Sequence, residues 1–333
     1  MNTMNEKIPQ EDFMRSAVLT GAMALILAAC SNDTDTAPDT AAVSDAMTDA
    51  GASAEANTAA STEMDTGASA TETEAAMEEP PADTTLADAI NHERRDENRG
   101  RDEWRNPMET LSFFGIEPDM TIVEVLPGNG GWYSQILTPL TAERGRLIGA
   151  TYPQSLFEQM FGTWNEDSVE RIGADIAEMG RYLSVEGVES AQPIVGYAID
   201  NIPDAENGQA DAVLFVRALH HLFRFDEPII DMALAETYDV LASGGVAGVV
   251  QHRAPEDADA GFANGDNGYL KQSDVVAAFE RAGFALEEAS EINANPNDLA
   301  DGFVWRLPPT TTDNPDTAAI GESDRMTLRF RKP

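Results

Sequence analysis

Residues 121–133, Thr121-Ile122-Val123-Glu124-Val125-Leu126-Pro127-Gly128-Asn129-Gly130-Gly131-Trp132-Tyr133, pass from a run of β-formers into a glycine loop. Ser134 to Leu140 then has the composition of a helix start. A buried strand, a glycine loop and a helix in succession form the opening unit of a nucleotide-binding α/β domain. Glycine lets the backbone take positive φ and approach a ligand closely. The helix start offers unsatisfied N–H groups and partial positive charge. Glu124, in the strand, is placed to reach polar groups of a bound ribose or amino-acid moiety, directly or through water.

The same alternation continues downstream. Further strands are predicted at 146–150, 194–198, 212–216 and 246–250, with a closing antiparallel pair at 284–290 and 326–330. Helices are predicted at 86–99, 102–114 with a break at Pro107, 134–140, 155–160, within 167–183, 228–241 and 273–282. Ala212-Val213-Leu214-Phe215-Val216 is apolar throughout, as in a central parallel strand covered on both faces. Strands alternating with helices imply a doubly wound, mostly parallel sheet.

The spacing Glu124-x-x-x-Gly128-x-Gly130 resembles the first motif of class I S-adenosylmethionine-dependent methyltransferases. It differs from the dinucleotide fingerprint G-x-G-x-x-G with its later acid. Asp211 to Phe215 with Arg217 to Leu222 is similar to that superfamily's fourth-strand motif. Tyr238 to Gly245 resembles its turn before strand five, and Ala277 to Phe284 its helix end before strand six. More narrowly, Phe113-Phe114-Gly115, Gly131-Trp132-Tyr133, His252-Arg253-Ala254-Pro255 and Phe330-Arg331-Lys332-Pro333 resemble a bacterial family of predicted, often exported methyltransferases. The resemblance implies a Rossmann-like, seven-stranded sheet with an antiparallel closing strand, and S-adenosylmethionine as cofactor.

It also implies site residues at the carboxyl ends of the strands, where open α/β sheets bind ligands. Glu124, Gly128, Asn129, Gly130, Asp200 and Arg217 are the candidate cofactor contacts. His220, His221 and His252 are candidate bases, because histidine titrates near neutrality; helix packing is the competing reading for the first two. Trp132, Tyr133 and Arg253 are substrate candidates, with packing under the loop the alternative for the aromatic pair. Two departures stand out. Leu126 occupies a place where the superfamily usually has glycine. The end of strand two reads Ala150-Thr151-Tyr152, without the acid that usually holds the ribose hydroxyls. These departures favour a second reading, a non-catalytic ligand-binding lipoprotein that reuses the fold.

The amino-terminal 29 residues have the layout of a secretory signal, with Lys7 and Arg15 preceding an apolar stretch. That stretch is shorter than the roughly 20 residues of a membrane span. It ends Leu27-Ala28-Ala29-Cys30, which resembles the lipobox of bacterial lipoproteins, and Cys30 is the only cysteine of the chain. Lipidation there implies a cell-envelope location facing the periplasm, with the outer membrane favoured because Ser31 follows; an incidental cysteine after an ordinary signal is the alternative. Residues 30–85 contain no Lys or Arg and few large apolar side chains, the composition of a solvated acidic tether. Residues 86–333 form the folded domain.

The formal charge is −38, with 59 acids against 21 bases. A surface this acidic argues against nucleic acid as a partner. Four histidines without ligand spacing argue against a metal site. The expected partners are a small-molecule or lipid-associated substrate and, through Cys30, the membrane.

Overall fold

The structure is a computed structural model that describes residues 84–128, 131–153, 176, 179–181, 183–225 and 227–333. The signal, Cys30 and nearly all of the tether lie outside the described residues, as do Asn129, Gly130 and the helix expected at 155–160. Of the helix expected within 167–183, residues 176, 179–181 and 183 are described and are helical.

Seven strands form one sheet: β1 (Thr121–Val125), β2 (Arg146–Thr151), β3 (Val195–Ala198), β4 (Ala210–Val216), β5 (Leu241–Ala254), β7 (Ala285–Ser290) and β8 (Arg325–Arg331), in the order β3-β2-β1-β4-β5-β8-β7. A two-residue β6 (Leu270–Lys271) pairs with the end of β5. Strands β1 to β5 run parallel, and β8 runs antiparallel to both of its neighbours. This is the doubly wound sheet with an antiparallel closing strand that the sequence implies. The helices are α1 (Leu86–Asn91), α2 (Asp102–Arg105), α3 (Pro107–Phe114), α4 (Ser134–Thr141), α5 (Leu219–Phe223), α6 (Glu227–Val240) and α7 (Gln272–Arg281).

Strand parity sorts the core into two layers, because successive side chains leave a strand on opposite faces. Ile122, Ala212, Leu214 and Val250 pack with α1, α3 and α4. Val123, Val125, Val213, Phe215 and Val249 pack with α5, α6 and α7. Glu124 shares the parity of Ile122 and therefore points toward α4. Strand glycines let helices settle close to the sheet. Gly149 and Gly196 are register partners on β2 and β3. A Cβ built on Gly149 would meet Met179 Sδ at 2.1 Å, and one on Gly196 would meet Met179 Cβ at 2.5 Å.

Local chemistry explains where the helices end. The helix expected over 86–99 stops at Asn91: the His92 ring accepts the Arg94 N–H (3.3 Å) and starts a new 3₁₀ turn. Such side-chain-to-backbone bonds compete with helix continuation. Asn106 takes a left-handed conformation (φ 41°), and Pro107 then starts α3, the break expected at this proline. Gly115 (φ 72°) closes α3, with Gly115 N–H donating to Ser112 O and Ile116 N–H to Leu111 O, both at 3.0 Å. In β5 the Ser243-Gly244-Gly245 turn is a bulge inside one long strand, since pairing jumps from Ala210↔Leu241 to Ala212↔Val246.

Gly321 has φ +82°, and an added Cβ would lie 2.2 Å from the ring of Trp104. Gly321→Ala combines left-handed strain with overpacking against a rigid ring. It is expected to lower the unfolding free energy by about 2–4 kcal/mol. Chemical denaturation of the variant beside the parent checks this; an unchanged midpoint and slope would contradict the packing described.

Candidate functional site

Chain order reverses between β1 and β4, which lie side by side but lead away in opposite directions. Ligands of open α/β sheets bind in the crevice outside the carboxyl ends of strands at such a point. Leu126 follows β1 with φ 51°, and Arg217 follows β4 with φ 58°. Positive φ is uncommon for residues with a Cβ. Leu126 thus adopts the conformation that glycine would adopt at the place where glycine was expected. Gly128 follows with φ +70°, and a Cβ built on it meets nothing within 4 Å. The loop therefore leaves open space beside Gly128, as a close ligand approach requires. Gly131 is different: its added Cβ would strike Ser134 Oγ at 2.3 Å.

Glu124 is buried, and Ser134 Oγ donates to its Oε2 at 2.6 Å. Burial pushes its carboxyl up to about 7, against the lowering effect of the Ser134 bond. Asp200 lies just past the end of β3. Thr151 ends β2, and Tyr152 sets its ring edge-on to His221 at 5.7 Å.

Trp132 and Tyr133 are buried. Trp132 Nε1 donates to Asn98 O (3.3 Å), and the guanidiniums of Arg95 and Arg105 lie over its ring at 4.8 and 4.7 Å. Tyr133 OH donates to Arg105 O (3.4 Å). The pair anchors the segment before β1 onto the start of α4, where Asn98 Nδ2 also donates to Gln135 Oε1 (3.1 Å). Their packing reading is the one the contacts support.

The three histidines do converge. Ring centroids are 4.0 Å apart for His220 and His221, and 5.3 Å for His220 and His252. His220 Nδ1 lies 3.3–3.4 Å from the side-chain amide of Gln251, which itself donates to Gly268 O at 2.9 Å. His252 Nδ1 bonds Ser323 Oγ. Burial, then His221 and nearby arginines, hold His220 well below its ordinary value. Burial, then Arg217, does the same to His252. His221 is pushed down to about 3 by burial, then by Arg224 and Arg217. All three rings are neutral at pH 7.

Arg253 is not directed at this crevice. Its Nη1 and Nη2 donate to both Glu291 carboxylate oxygens (2.8 and 2.7 Å), and Nε and Nη2 donate to Asp324 (2.9 and 3.2 Å). It lines a surface cavity of about 480 Å³ together with Pro255, Glu256, Asp298 and Leu299. Those two carboxylates occupy the guanidinium that the sequence offered to a substrate.

A group of arginines was not anticipated. Arg101 Nε and Arg105 Nε each donate to Glu322 Oε1 at 3.2 Å, and Arg325 Nη1 donates to Oε2 at 2.9 Å. Burial alone would raise Glu322; Arg105, Arg325, Arg217 and Arg101 instead hold it at about 2. Burial, then Arg105, pushes Arg217 down to about 9. Among the described residues, no three His, Cys, Asp or Glu side chains are placed to hold a metal ion.

No protein-family model and no curated protein matches the sequence. Solved structures to which this chain is similar include an S-adenosylmethionine-dependent methyltransferase from Aquifex aeolicus, 14% identical over 70% of this chain and 93% of that one, with a TM-score of 0.41. The cyclase SpnF is 15% identical over 69% and 80%, with a TM-score of 0.42. An S-adenosylmethionine-dependent methyltransferase from Mesorhizobium loti is 13% identical over 66% and 95%, with a TM-score of 0.36.

Glu124 supplies a stability test with a definite sign. Its folded value, about 7, lies above the ordinary 4.5, so between these pH values the folded state holds a proton that the unfolded state has lost. Its contribution therefore weakens stability as pH rises from about 4.5 to 7 and stays constant above. Glu124→Gln, which keeps an acceptor for Ser134, is expected to stabilise the protein by about 3 kcal/mol at pH 8 and by much less at pH 4.5. Denaturant titrations at the two pH values check this; equal effects at both would refute the assignment.

Proposed function

We propose that this protein is an S-adenosylmethionine-dependent methyltransferase carried on the cell envelope, acting on a small-molecule or lipid-associated acceptor. The observation that carries the reading is the crevice between β1 and β4, where a left-handed turn, the open face of Gly128 and the acid Glu124 meet. Supporting it is the match between this placement and the Glu124-x-x-x-Gly128-x-Gly130 motif.

Glu124 and Gly128 fit a nucleoside-bearing ligand, with Asn129, Gly130 and Asp200 as the further contacts of the reading. Bound S-adenosylmethionine would supply an electrophilic methyl group on a sulfonium. The overall change transfers that methyl to an acceptor X–H, giving S-adenosylhomocysteine, X–CH₃ and a proton. What the chain contributes is alignment and exclusion of water, which account for much of the acceleration in such transfers. Glu124 can accept a hydrogen bond from the ligand once it gives up its proton. The neutral imidazoles of His220, His221 and His252 can accept a proton from an acceptor, although their burial makes them weak bases.

Binding of S-adenosylmethionine and S-adenosylhomocysteine to the full-length chain, measured by calorimetry, tests this. Dissociation constants below millimolar are expected. Among the described residues a Cβ at Gly128 meets nothing within 4 Å, so Gly128→Ala should fold, with a left-handed penalty of about 1 kcal/mol. Its methyl group enters the space left for the ligand, and affinity should fall at least about tenfold, or 1.4 kcal/mol. Absence of binding by the folded parent protein would remove the reading. A second reading, a lipoprotein that binds such a ligand without turnover, is favoured by Thr151 at the end of β2, where no carboxylate can grip both ribose hydroxyls. Binding without methyl transfer to any acceptor would select it.

Envelope anchoring forms part of the proposal. It rests on the apolar stretch ending at Cys30 and on the acidic tether after it. Acyl chains contribute about 0.8 kcal/mol per buried CH₂, and more than one chain is needed for a stable anchor. Cys30→Ala is expected to move the protein from the membrane to the soluble fraction. Unchanged fractionation would rule out lipidation at Cys30.

A further inference from the structure

We propose that Arg217, with Arg105, Arg101 and Arg325, forms a receptor for an oxyanion group, a carboxylate or a phosphate, carried by the methyl acceptor. Calling the anion's carrier the methyl acceptor rests on the methyltransferase reading above; the anion site itself does not.

Strand register brings these residues together. Arg217 N–H donates to Val250 O at 2.7 Å, immediately beyond the Val216↔Val250 pair. Two residues further along β5, His252 pairs with Arg325 on β8. Arg217, His252 and Arg325 thus form a row across three neighbouring strands at the crevice. Arg101 and Arg105 reach the same place from the segment before β1, through their bonds to Glu322.

The charge balance points to a missing anion. Among the described residues, Glu322 is the one carboxylate that bonds this group, against four guanidiniums. Arg105 and Arg325 are 3% and 2% exposed, yet among the described residues Arg105 Nη2 and Arg325 Nε have no hydrogen-bond partner; neither has the buried Arg217 Nε. Leaving a buried charged donor unpaired is costly. This chain has acids in surplus and uses them elsewhere. Arg253 holds two carboxylates, and Arg95 is bidentate to Asp102. Arg95 also leaves its Nε unpartnered, but it has a carboxylate of its own, whereas four guanidiniums gather here around one. The three neighbouring histidines are neutral and cannot offset the arginine charge. Arg101 and Arg217 are partly exposed, so the group opens toward solvent on their side.

The planar guanidinium fork matches carboxylate and phosphate oxygens in a bidentate manner. The strongly acidic protein repels anions at long range, and that repulsion is screened within about 10 Å at ordinary salt. An oxyanion reaching the crevice therefore meets a local field of the opposite sign.

The test titrates the full-length chain with inorganic phosphate and, separately, with benzoate, against chloride at matched ionic strength. Binding is read by calorimetry and by the thermal midpoint, with and without saturating S-adenosylhomocysteine. At least one of the two anions should raise the midpoint above chloride, and the one preferred identifies the oxyanion. That gain should persist with S-adenosylhomocysteine bound. Arg217→Gln should weaken anion binding at least tenfold, while Arg253→Gln, outside the group, should leave it unchanged. If Arg217→Gln does not fold, the partly exposed Arg101→Gln should weaken binding in the same sense. No response beyond chloride, or equal binding by parent and arginine variants, overturns the site. Mutual exclusion of anion and S-adenosylhomocysteine overturns the acceptor assignment, because the arginines would then hold the cofactor's own carboxylate. Anion binding that depends on Arg217, in a chain that binds no S-adenosylhomocysteine, supports the anion site and removes the methyltransferase reading alone.

Discussion

Two adjacent strands of this sheet stop on residues forced into left-handed backbone, and the crevice depends on how those residues are held. Leu126 and Arg217 each carry a side chain at positive φ, a conformation that costs roughly 1–2 kcal/mol for an L-residue. Each is pinned by a ladder hydrogen bond to the strand on its far side: Leu126 N–H to Ala150 O at 2.8 Å, and Arg217 N–H to Val250 O at 2.7 Å. The sheet thus continues for one residue beyond β1 and β4 while both chains turn out of it. Strain of this kind persists only where surrounding structure over-determines it, and it clusters at functional sites. Leu126 turns the chain toward Gly128. Arg217 ends β4 beside the arginines around Glu322.

The segment before β1 is the second support. It is stitched to α4 through Trp132, Tyr133 and Gln135, and it delivers Arg95, Arg101 and Arg105. Trp132 under two guanidiniums is an apolar, electron-rich surface that tolerates their charge where a carboxylate would neutralise it. This arrangement separates two tasks. Arg95 donates through Nη1 and Nη2 to Asp102 and the Ile90 carbonyl, and it fixes the segment. Arg105 shares Glu322 with Arg101 and Arg325 and keeps a donor unused. Loosening the segment would therefore alter the electrostatics of the crevice as well as the stability of the domain.

Much of the architecture was legible because it rests on local patterns. The apolar runs of β1 and β4, the Pro107 break and the closing pair of strands follow from periodicity and from proline and glycine chemistry. Leu126 stands where glycine is usual, and the backbone there is glycine-like. The helix expected through Arg99 failed because a single side chain, His92, captured a backbone N–H that helix continuation needed. The arginine group was invisible for a different reason. Arg101, Arg105, Arg217, Glu322 and Arg325 are separated by up to 224 residues, and only the antiparallel return of β8 beside β5 brings the last two to the first three. The pairing of Arg253 was hidden for the same reason: its partners Glu291 and Asp324 come from the connections around β7 and β8, which no local pattern reveals.

Protonation sets a further limit on the chemistry of the crevice. A histidine held near 3, as His221 is, accepts a proton far less readily than one titrating near its ordinary 6.5. Its two neighbours are depressed by the same burial and by the same arginines. Cationic side chains that draw in an oxyanion also raise the energy of a nearby imidazolium, so a strong anion receptor and a strong histidine base oppose each other in one low-dielectric space. Bringing an anion in would relieve that opposition, because its charge would raise the affinity of all three rings for a proton. The histidines and the arginines then act as one electrostatic unit, in which the charge of the bound partner, more than any single side chain, determines whether a base exists at all.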